Sequence, residues 1–407
     1  MYKNATLSQM KQKLAFKNNV NPFLFAVTLL FFANISLKAQ EANFPGQLVT
    51  IEDYDKPVIG RAHEDVIASE NKTGFETGQV VVQDGIYYMF VGEMFDKERQ
   101  DMRASLWKSR DGFNWTRIRT LKHSLQYDQS PVNMKKEVWI TAAEFNEIEN
   151  RWNIFYIAYT GGIRQYKDPN RLRTRDYYGR VFRAASIHLG REGIEGPYED
   201  VDIIMYPEWV EPKKLEGQQH LSIKVVEEKP GEDWEGQQAV ASFNPYRLED
   251  GSWMSFYGGH WHDPRQSKYI VGLARADHLS GPWERAYDIK SAMLSKRFSE
   301  NPVVTRLDDG RYIAVFQSKI EDIDSDEGIS NANIIGYSIS KDGKHWPYRK
   351  LVNILPNQDY SQQMRTPLGL IPEKDNVFRV YFTHKKKKED GENPFFPVSM
   401  ARLKLYK

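Results

Sequence analysis

Short runs of alternating bulky residues recur along the chain, and five of them follow a tight turn of Asp-Gly or Asn type. These five phrases are DGIYYMFVGE from Asp84, NRWNIFYIAY from Asn150, DGSWMSFYGG from Asp250, DGRYIAVFQS from Asp309 and DNVFRVYFTH from Asp375. An alternation of period two, rich in β-branched and aromatic residues and bounded by turn residues, is typical of β-hairpins. The pattern therefore predicts one antiparallel β unit that is repeated five times.

Each phrase is preceded by one extended stretch and followed by another, and in four cases by a further one. Four antiparallel strands repeated radially describe a β-propeller. We predict an all-β, five-bladed β-propeller of four-stranded antiparallel blades as a single domain over residues 40–407. The alternative is a β-sandwich or a multi-sheet protein with an accidental repeat. The predicted blades span roughly residues 63–125, 130–207, 235–292, 297–356 and 362–407.

The fifth unit reaches the last residue, Lys407, after only three strands. The extended stretch 46–54 can supply the missing strand from the other end of the chain. Pairing the first and last segments in one blade would close the ring and remove an exposed sheet edge.

The first 39 residues predict a secretory signal peptide. Lys11, Lys13 and Lys17 precede an apolar run from Pro22 to Ile35, and Ala39 is a small residue at the expected cleavage point. The alternative, a membrane anchor, is disfavoured because a spanning helix needs about 20 apolar residues. We expect an exported protein, periplasmic or secreted, with no membrane association after cleavage. The chain contains no Cys, which excludes disulfides, zinc-thiolate sites and Cys nucleophiles.

Composition narrows the classes of ligand. The net charge is +1, so no global basic field indicates nucleic acid. Aromatic residues make up 13% of the chain, which suits both β-strands and surfaces that stack on sugar rings. An oligosaccharide or polysaccharide is the expected partner, and no cofactor is expected.

Loop lengths indicate which face of the propeller functions. The loops after the second strand of each unit are long, and in a four-stranded meander they share a face with the start of the first strand. The residues that open the first strands are Glu76, Glu137, Glu235, Glu300 and Arg365, with Glu144 as an alternative to Glu137. Paired carboxylates across a pocket perform glycoside hydrolysis, one as acid and the other as base or nucleophile. The catalytic candidates are Glu76, Glu300 and Glu235.

Basic and imidazole side chains on the same face are candidates for substrate binding. They are Arg365, His260, His262, Arg265, Arg173 and His63. Guanidinium groups bind carboxylate or sulfate well, so the substrate is expected to be acidic or modified, although solvated loop charge is the plainer interpretation. No metal site is predicted; a metal at His260 and His262, or calcium in the acidic loop 321–327, is the alternative.

The repeated phrase resembles that of glycoside hydrolase family 43 and its relatives. HLSGPWERA from His278 and GIEGPYEDV from Gly193 are similar to the Gly-Pro-aromatic link of those enzymes, and SRDGFNW from Ser109 and SKDGKHW from Ser340 resemble a Ser-x-Asp-Gly-x-x-Trp turn. The resemblance implies a five-bladed sugar-cleaving propeller. In that family an Asp opens blade one as base, an Asp in blade two tunes the pKa of the acid, and a Glu opens blade three as the acid. The resemblance therefore implies the role of base for Glu76 and of acid for Glu235. Because Glu76 replaces the Asp and no Asp follows Trp139 in blade two, a divergent or related hydrolase family is expected.

The sequence thus predicts an exported, exo-acting glycoside hydrolase. A polysaccharide lyase acting on a uronate is one alternative, in which Arg365, His260 and His262 would carry the reaction. A non-catalytic glycan-binding propeller is the other.

Overall fold

The computed structural model describes fourteen stretches of the chain. They are residues 46–53, 56–96, 101–126, 135, 137–160, 178–206, 222–223, 239–263, 266–289, 299–319, 333–347, 349–352, 364–384 and 395–406. One compact unit, Leu48–Leu405, contains every strand of the described residues.

The described strands form five four-stranded antiparallel blades, as predicted. Blade 1 contains β2 (Gly74–Gln83), β3 (Ile86–Met94), β4 (Met102–Ser109) and β5 (Thr116–His123). Blade 2 contains β6 (Val138–Asn146), β7 (Arg151–Thr160), β8 (Tyr178–Ser186) and β9 (Tyr198–Met205), with β10 (Ser222–Ile223) pairing in parallel with β9. Blade 3 contains β11 (Ala239–Arg247), β12 (Trp253–Asp263), β13 (Gln266–Ala276) and β14 (Glu284–Arg285). Blade 4 contains β15 (Glu300–Arg306), β16 (Tyr312–Lys319), β17 (Asn333–Ser340) and β18 (Lys350–Val352).

Blade 5 joins the two ends of the chain. It contains β19 (Met364–Pro372), β20 (Val377–His384), β21 (Val398–Leu405) and β1 (Leu48–Asp53). Strand β1 runs antiparallel to β21, from the pair Leu48 and Leu405 to the pair Asp53 and Ala401. The N-terminal strand therefore closes the ring, which confirms the prediction.

Helices are short in the described part of the chain. They are the α-helix α1 (Glu64–Ala68) and the 3₁₀ turns Ser124–Gln126, Arg191–Glu195 and Lys374–Asn376. Across the described ranges, none is long and apolar enough to cross a membrane.

Both faces of each blade are packed, because alternate residues of the inner strands face opposite neighbours. Phe90 joins the apolar cluster between blades 1 and 2, whereas Val91 joins the cluster between blades 1 and 5. Three further clusters fill the remaining interfaces around the ring. The innermost strands β2, β6, β11, β15 and β19 contact one another in that order, and β19 contacts β2. Burial on both faces explains why the strands read as dense apolar runs, and it fixes the innermost strands around one axis.

The Ser-x-Asp-Gly-x-x-Trp turns of blades 1 and 4 have the same geometry. In blade 1 the Asp111 carboxylate accepts the Phe113 and Asn114 amides, both at 2.8 Å, and Trp115 Nε1 donates to the Gly112 carbonyl at 3.1 Å. In blade 4 Asp342 accepts the amides of Lys344 and His345, and Trp346 donates to Gly343 at 3.1 Å. These turns anchor their tryptophans in the core.

Candidate active site

Every innermost strand breaks its register near its first residues, at the end where the long loops leave the second strands. In β2 the pairing shifts after Glu76, which faces Gly92, and in β15 it shifts after Glu300, which faces Gln317. The corresponding shifts lie between Ile140 and Ala142, between Ala241 and Asn244, and between Met364 and Pro367. Such β-bulges redirect side chains and are enriched beside active sites.

The bulges of three blades place a non-glycine residue in the left-handed region. The φ angles are 52° for Thr77, 53° for Ser242 and 52° for Asn301. A β-branched residue such as Thr77 rarely adopts this conformation, and strained backbone of this kind clusters at functional sites. The bulges of the innermost strands therefore mark the axis as a candidate functional site.

Two glycines explain why β2 can bulge at Glu76. A Cβ at Gly78 would lie 2.2 Å from the Phe90 carbonyl oxygen, and one at Gly92 would lie 2.7 Å from the carbonyl oxygen of Glu76. Neither position has room for a side chain, so glycine permits the close approach of β2 and β3 that fixes Glu76 at the axis.

Glu76 forms an ion pair with Arg365 from the last blade. The Nη2 atom of Arg365 contacts the Oε1 atom of Glu76, although the two residues are 289 positions apart. The Glu76 side chain is 6% exposed and that of Arg365 is 26% exposed. Burial lowers the pKa of Arg365 to about 10, so the guanidinium stays protonated at neutral pH. The pair links blades 1 and 5 across the point where the ring closes.

The Arg365 guanidinium also lies over an aromatic ring. Its Cζ atom is 5.3 Å from the centroid of Phe396, within cation–π range. Phe396 is held by backbone bonds on both sides: its carbonyl accepts the Phe75 amide at 2.8 Å, and its amide donates to Thr73 at 2.9 Å. The guanidinium is therefore positioned by both the carboxylate and the ring.

Glu300 begins the innermost strand of blade 4 and is partly exposed. Blades 4, 5 and 1 are consecutive around the ring, so Glu300, Arg365 and Glu76 come from three neighbouring innermost strands. Gln317, which pairs with Glu300, is buried. The structure thus brings two predicted carboxylates and the predicted arginine to the same end of the axis.

Glu137 directly precedes β6, whereas Glu144 lies within it. Glu137 is buried ahead of the bulge, and its Oε2 atom accepts the Trp139 indole N–H at 3.0 Å. Glu144 lies in the second half of the strand, where Gln79 Nε2 donates to its Oε1 atom at 3.3 Å. Burial raises the pKa of Glu144 to about 7.

His63 lies directly before α1 and packs against blade 1. Its Nδ1 atom accepts the Asp65 amide at 3.2 Å, so the proton is on Nε2, which donates to the Trp115 carbonyl at 3.0 Å. Its ring meets the Trp107 ring edge-on at 5.3 Å. Asp65 in turn accepts the Arg117 amide at 2.9 Å. Both nitrogens of His63 are thus engaged by the chain itself.

The structure describes the remaining candidates only in part or not at all. Glu235, Arg173 and Arg265 lie outside the described residues, as do the signal segment and the acidic loop 321–327. His260 and His262 belong to β12, where they pair with Tyr269 and Ser267; only their backbone is described. Among the residues that the structure does describe, no cluster of three His, Asp or Glu side chains could hold a metal ion.

The bulges also bring together small polar residues that the sequence reasoning missed. Thr77, Thr141, Ser242 and Asn301, from blades 1 to 4, line one cavity on the axis. At the same end, buried His384 closes β20 with its Nε2 atom 2.8 Å from the Ser399 hydroxyl. The available signal was a small polar residue near the start of each innermost strand, which only the register of the bulges makes meaningful.

No protein-family model matches this sequence, and no curated protein matches it. Solved structures do match. Zg3597, a family 117 glycoside hydrolase from the marine bacterium Zobellia galactanivorans, is 11% identical with a TM-score of 0.50, over 88% of this chain and 90% of that one. The GH43_1 enzyme from Xanthomonas citri, in complex with xylose, is 13% identical with a TM-score of 0.49, over 87% and 90%. A thermostable family-43 glycoside hydrolase is 12% identical with a TM-score of 0.49, over 83% and 96%.

At 11% identity the likeness to Zg3597 shows the fold alone. The chain is a five-bladed β-propeller of the architecture found in a family 117 glycoside hydrolase. The predicted five-bladed propeller fold is confirmed.

Proposed function

We propose that this protein is a glycoside hydrolase whose reaction takes place at the mouth of the propeller axis. The observation that carries the proposal is the arrangement of Glu76, Arg365 and Glu300 on three consecutive innermost strands. A pair of carboxylates at one pocket is the equipment that glycosidic bond cleavage needs. The fold shared with a glycoside hydrolase agrees with this function but does not carry it.

The two carboxylates suit different roles. A guanidinium in contact favours the ionised form of a carboxylate, so Glu76, paired with Arg365, acts as base or nucleophile. Glu300 is the second carboxylate and is partly exposed. Since Glu76 takes the role of base or nucleophile, Glu300 is the acid that protonates the leaving oxygen. Whether water or Glu76 attacks the anomeric carbon determines whether the enzyme inverts or retains configuration.

The substrate is proposed to be the chain end of an acidic or modified oligosaccharide. The support is the basic sequence of the loops after the second strands of blades 2 and 5, which contain Arg173 and residues 385–388. Binding of a charged chain should weaken as salt rises, whereas binding of a neutral xylan fragment should not. Equal salt dependence for the two would count against an acidic substrate.

Export is proposed from the N-terminal segment. The mass of the protein recovered from cells should correspond to a chain that begins after Ala39. Recovery of the full-length chain would contradict cleavage.

The function is tested by incubating the protein with a panel of acidic and neutral oligosaccharides. Release of reducing sugar without ultraviolet absorbance indicates hydrolysis, whereas the absorbance of an unsaturated uronate indicates a lyase. Glu76→Gln and Glu300→Gln should each abolish the release, and Glu199→Gln, an exposed glutamate on β9, should not. Binding without cleavage across the whole panel would favour a glycan-binding propeller instead.

A further inference from the structure

The axis carries a small cavity directly beside the residues that follow Glu76 and Glu300. It is lined by the bulge residues Thr77, Thr141, Ser242 and Asn301, and its volume is about 10 Å³. A space of this size accommodates about one water-sized oxygen atom. Its other lining residues are glycine, apolar residues and Asn244, so no charged side chain of the described residues lines it.

Three of the four bulge residues are engaged in hydrogen bonds that hold neighbouring strands together. Thr141 Oγ1 donates to the Phe155 carbonyl at 3.2 Å. The Ser242 hydroxyl accepts the Asn301 amide at 3.1 Å, and the Asn301 side-chain amide donates to Thr366 Oγ1 at 3.4 Å. These bonds link blades 3, 4 and 5 around the cavity.

Thr77 differs from the other three bulge residues. Its residue exposure is 6%, and its Oγ1 atom has no hydrogen-bond partner in the described part of the chain. A buried hydroxyl without a partner is destabilising and is rare in native proteins. Its φ of 52° is an unfavourable conformation for a β-branched residue. Thr77 therefore incurs two local costs at a site that faces the cavity and directly follows Glu76.

We infer that the cavity binds one neutral oxygen atom, with Thr77 Oγ1 as its principal partner. In the free protein this is a water molecule; in the complex it is a hydroxyl group of the terminal sugar. The second part rests on the proposed function, because Glu76 and Glu300 place that sugar above the cavity.

The lining residues that the structure describes are all uncharged, and this determines the class of group that fits. A carboxylate or sulfate would lose its hydration here without gaining a cationic partner, whereas a hydroxyl can both donate and accept. An acidic group of the substrate is therefore bound elsewhere, and the cavity binds a neutral hydroxyl. A site that hydrogen-bonds a substrate hydroxyl discriminates strongly against a sugar that lacks it.

The test compares variants of the intact protein on a saccharide that the wild type cleaves. Thr77→Val keeps the shape and removes the hydroxyl, and it should lower kcat/KM about tenfold or more. Thr77→Ser restores the hydroxyl and should recover most of this loss. Thr116→Val, which changes an exposed threonine of the same blade, serves as the matched control and should match the wild type.

Crystal structures provide a readout that does not depend on activity. The wild type should show an oxygen within about 3.2 Å of Thr77 Oγ1, and Thr77→Val should lose it. In a crystal of Glu300→Gln bound to the intact saccharide that the wild type cleaves, a sugar hydroxyl should take the place of the oxygen beside Thr77 Oγ1.

The two proposals can fail separately. Wild-type kcat/KM in Thr77→Val, on a saccharide that the enzyme cleaves, would overturn the hydroxyl site and leave the hydrolase intact. A wild-type crystal without an oxygen bonded to Thr77, or a complex with an acidic group in the cavity, would also overturn it. Failure to cleave any saccharide would overturn the proposed function and, with it, the sugar part of this inference.

Discussion

Two buried glutamates of blade 1 lie close in the structure and differ in what holds them. Glu93 is fully buried, and its oxygens accept Ser105 Oγ at 2.7 Å, Trp107 Nε1 at 2.9 Å and Arg117 Nη2 at 2.8 Å. All three donors belong to blade 1 itself. Glu76 instead lies at the axis, and its arginine comes from the last blade of the ring.

This difference separates a structural carboxylate from a catalytic candidate. The oxygens of Glu93 are saturated within one blade and have no direction open to a ligand, so the residue stabilises the sheet. The Glu76 pair joins two blades at the end of the axis where Glu300 and the cavity also lie. Burial with an arginine is common to both; the origin of the partners and the position relative to the axis distinguish them.

The largest expected effect is on activity at Glu76. Glu76→Gln should lower kcat about a thousandfold, because it removes the base or nucleophile while keeping the size of the side chain. Steady-state kinetics on a cleaved saccharide measure it. Glu93→Gln should retain wild-type kcat per folded molecule. Equal losses of kcat in the two variants would contradict the distinction between a catalytic Glu76 and a structural Glu93.

The second effect is on stability at Glu93. Glu93→Gln should lower the free energy of unfolding by about 3 to 5 kcal/mol, because Arg117 would then be left as a charge without its carboxylate. Denaturant unfolding measures this, with Glu199→Gln as the control. A loss below about 1 kcal/mol would show that the buried pair is not structural.

A smaller effect concerns the two equivalent turns. Tyr381 donates to the Gly112 carbonyl at 2.9 Å, and Tyr246 donates to the Gly343 carbonyl at 2.7 Å. Tyr381→Phe and Tyr246→Phe should each lower the free energy of unfolding by about 1 kcal/mol, because each removes a hydroxyl that donates to a turn carbonyl. Clearly unequal losses would show that the repeated turns differ in energy despite their shared geometry.

The smallest effect is a pH dependence from the same turns. The Asn114 amide lowers the pKa of Asp111 below its usual range. For Asp342 burial acts to raise the pKa, but the backbone amides of His345 and Lys344 outweigh it and the pKa is lowered. Because each pKa is lower in the folded state, this stability is present above about pH 4 and is lost as pH falls further.

Asp111→Asn and Asp342→Asn should therefore flatten the loss of stability below about pH 4. Urea unfolding at about pH 5 and pH 3 measures the slope for each variant against the wild type. A slope equal to that of the wild type in both variants would contradict a contribution from these turns.

The fold was predictable because its signals are local. The Asp-Gly and Asn turns, the alternation and the missing fourth strand of the last unit can all be read from short stretches, including the strand 48–53 that closes the ring. Glu76 and Glu300 could also be proposed, because each opens an innermost strand.

The rest depends on register and on distant contacts. The bulge at Thr77 arises where β2 and β3 approach closely, as Gly78 and Gly92 show, and a single sequence does not reveal such a shift. The bond between Glu76 and Arg365 spans 289 positions and exists only because the ring closes. The saturation of Glu93 likewise follows from three strands meeting.

The most direct test of the central claim is cleavage in water enriched in ¹⁸O. Hydrolysis inserts one solvent oxygen across the glycosidic bond, so the wild type should release products whose masses sum to that of the substrate plus one labelled water. Glu76→Gln and Glu300→Gln should release almost none. Products whose masses sum to that of the substrate alone, with no label, would identify elimination and would contradict a hydrolase acting through Glu76 and Glu300.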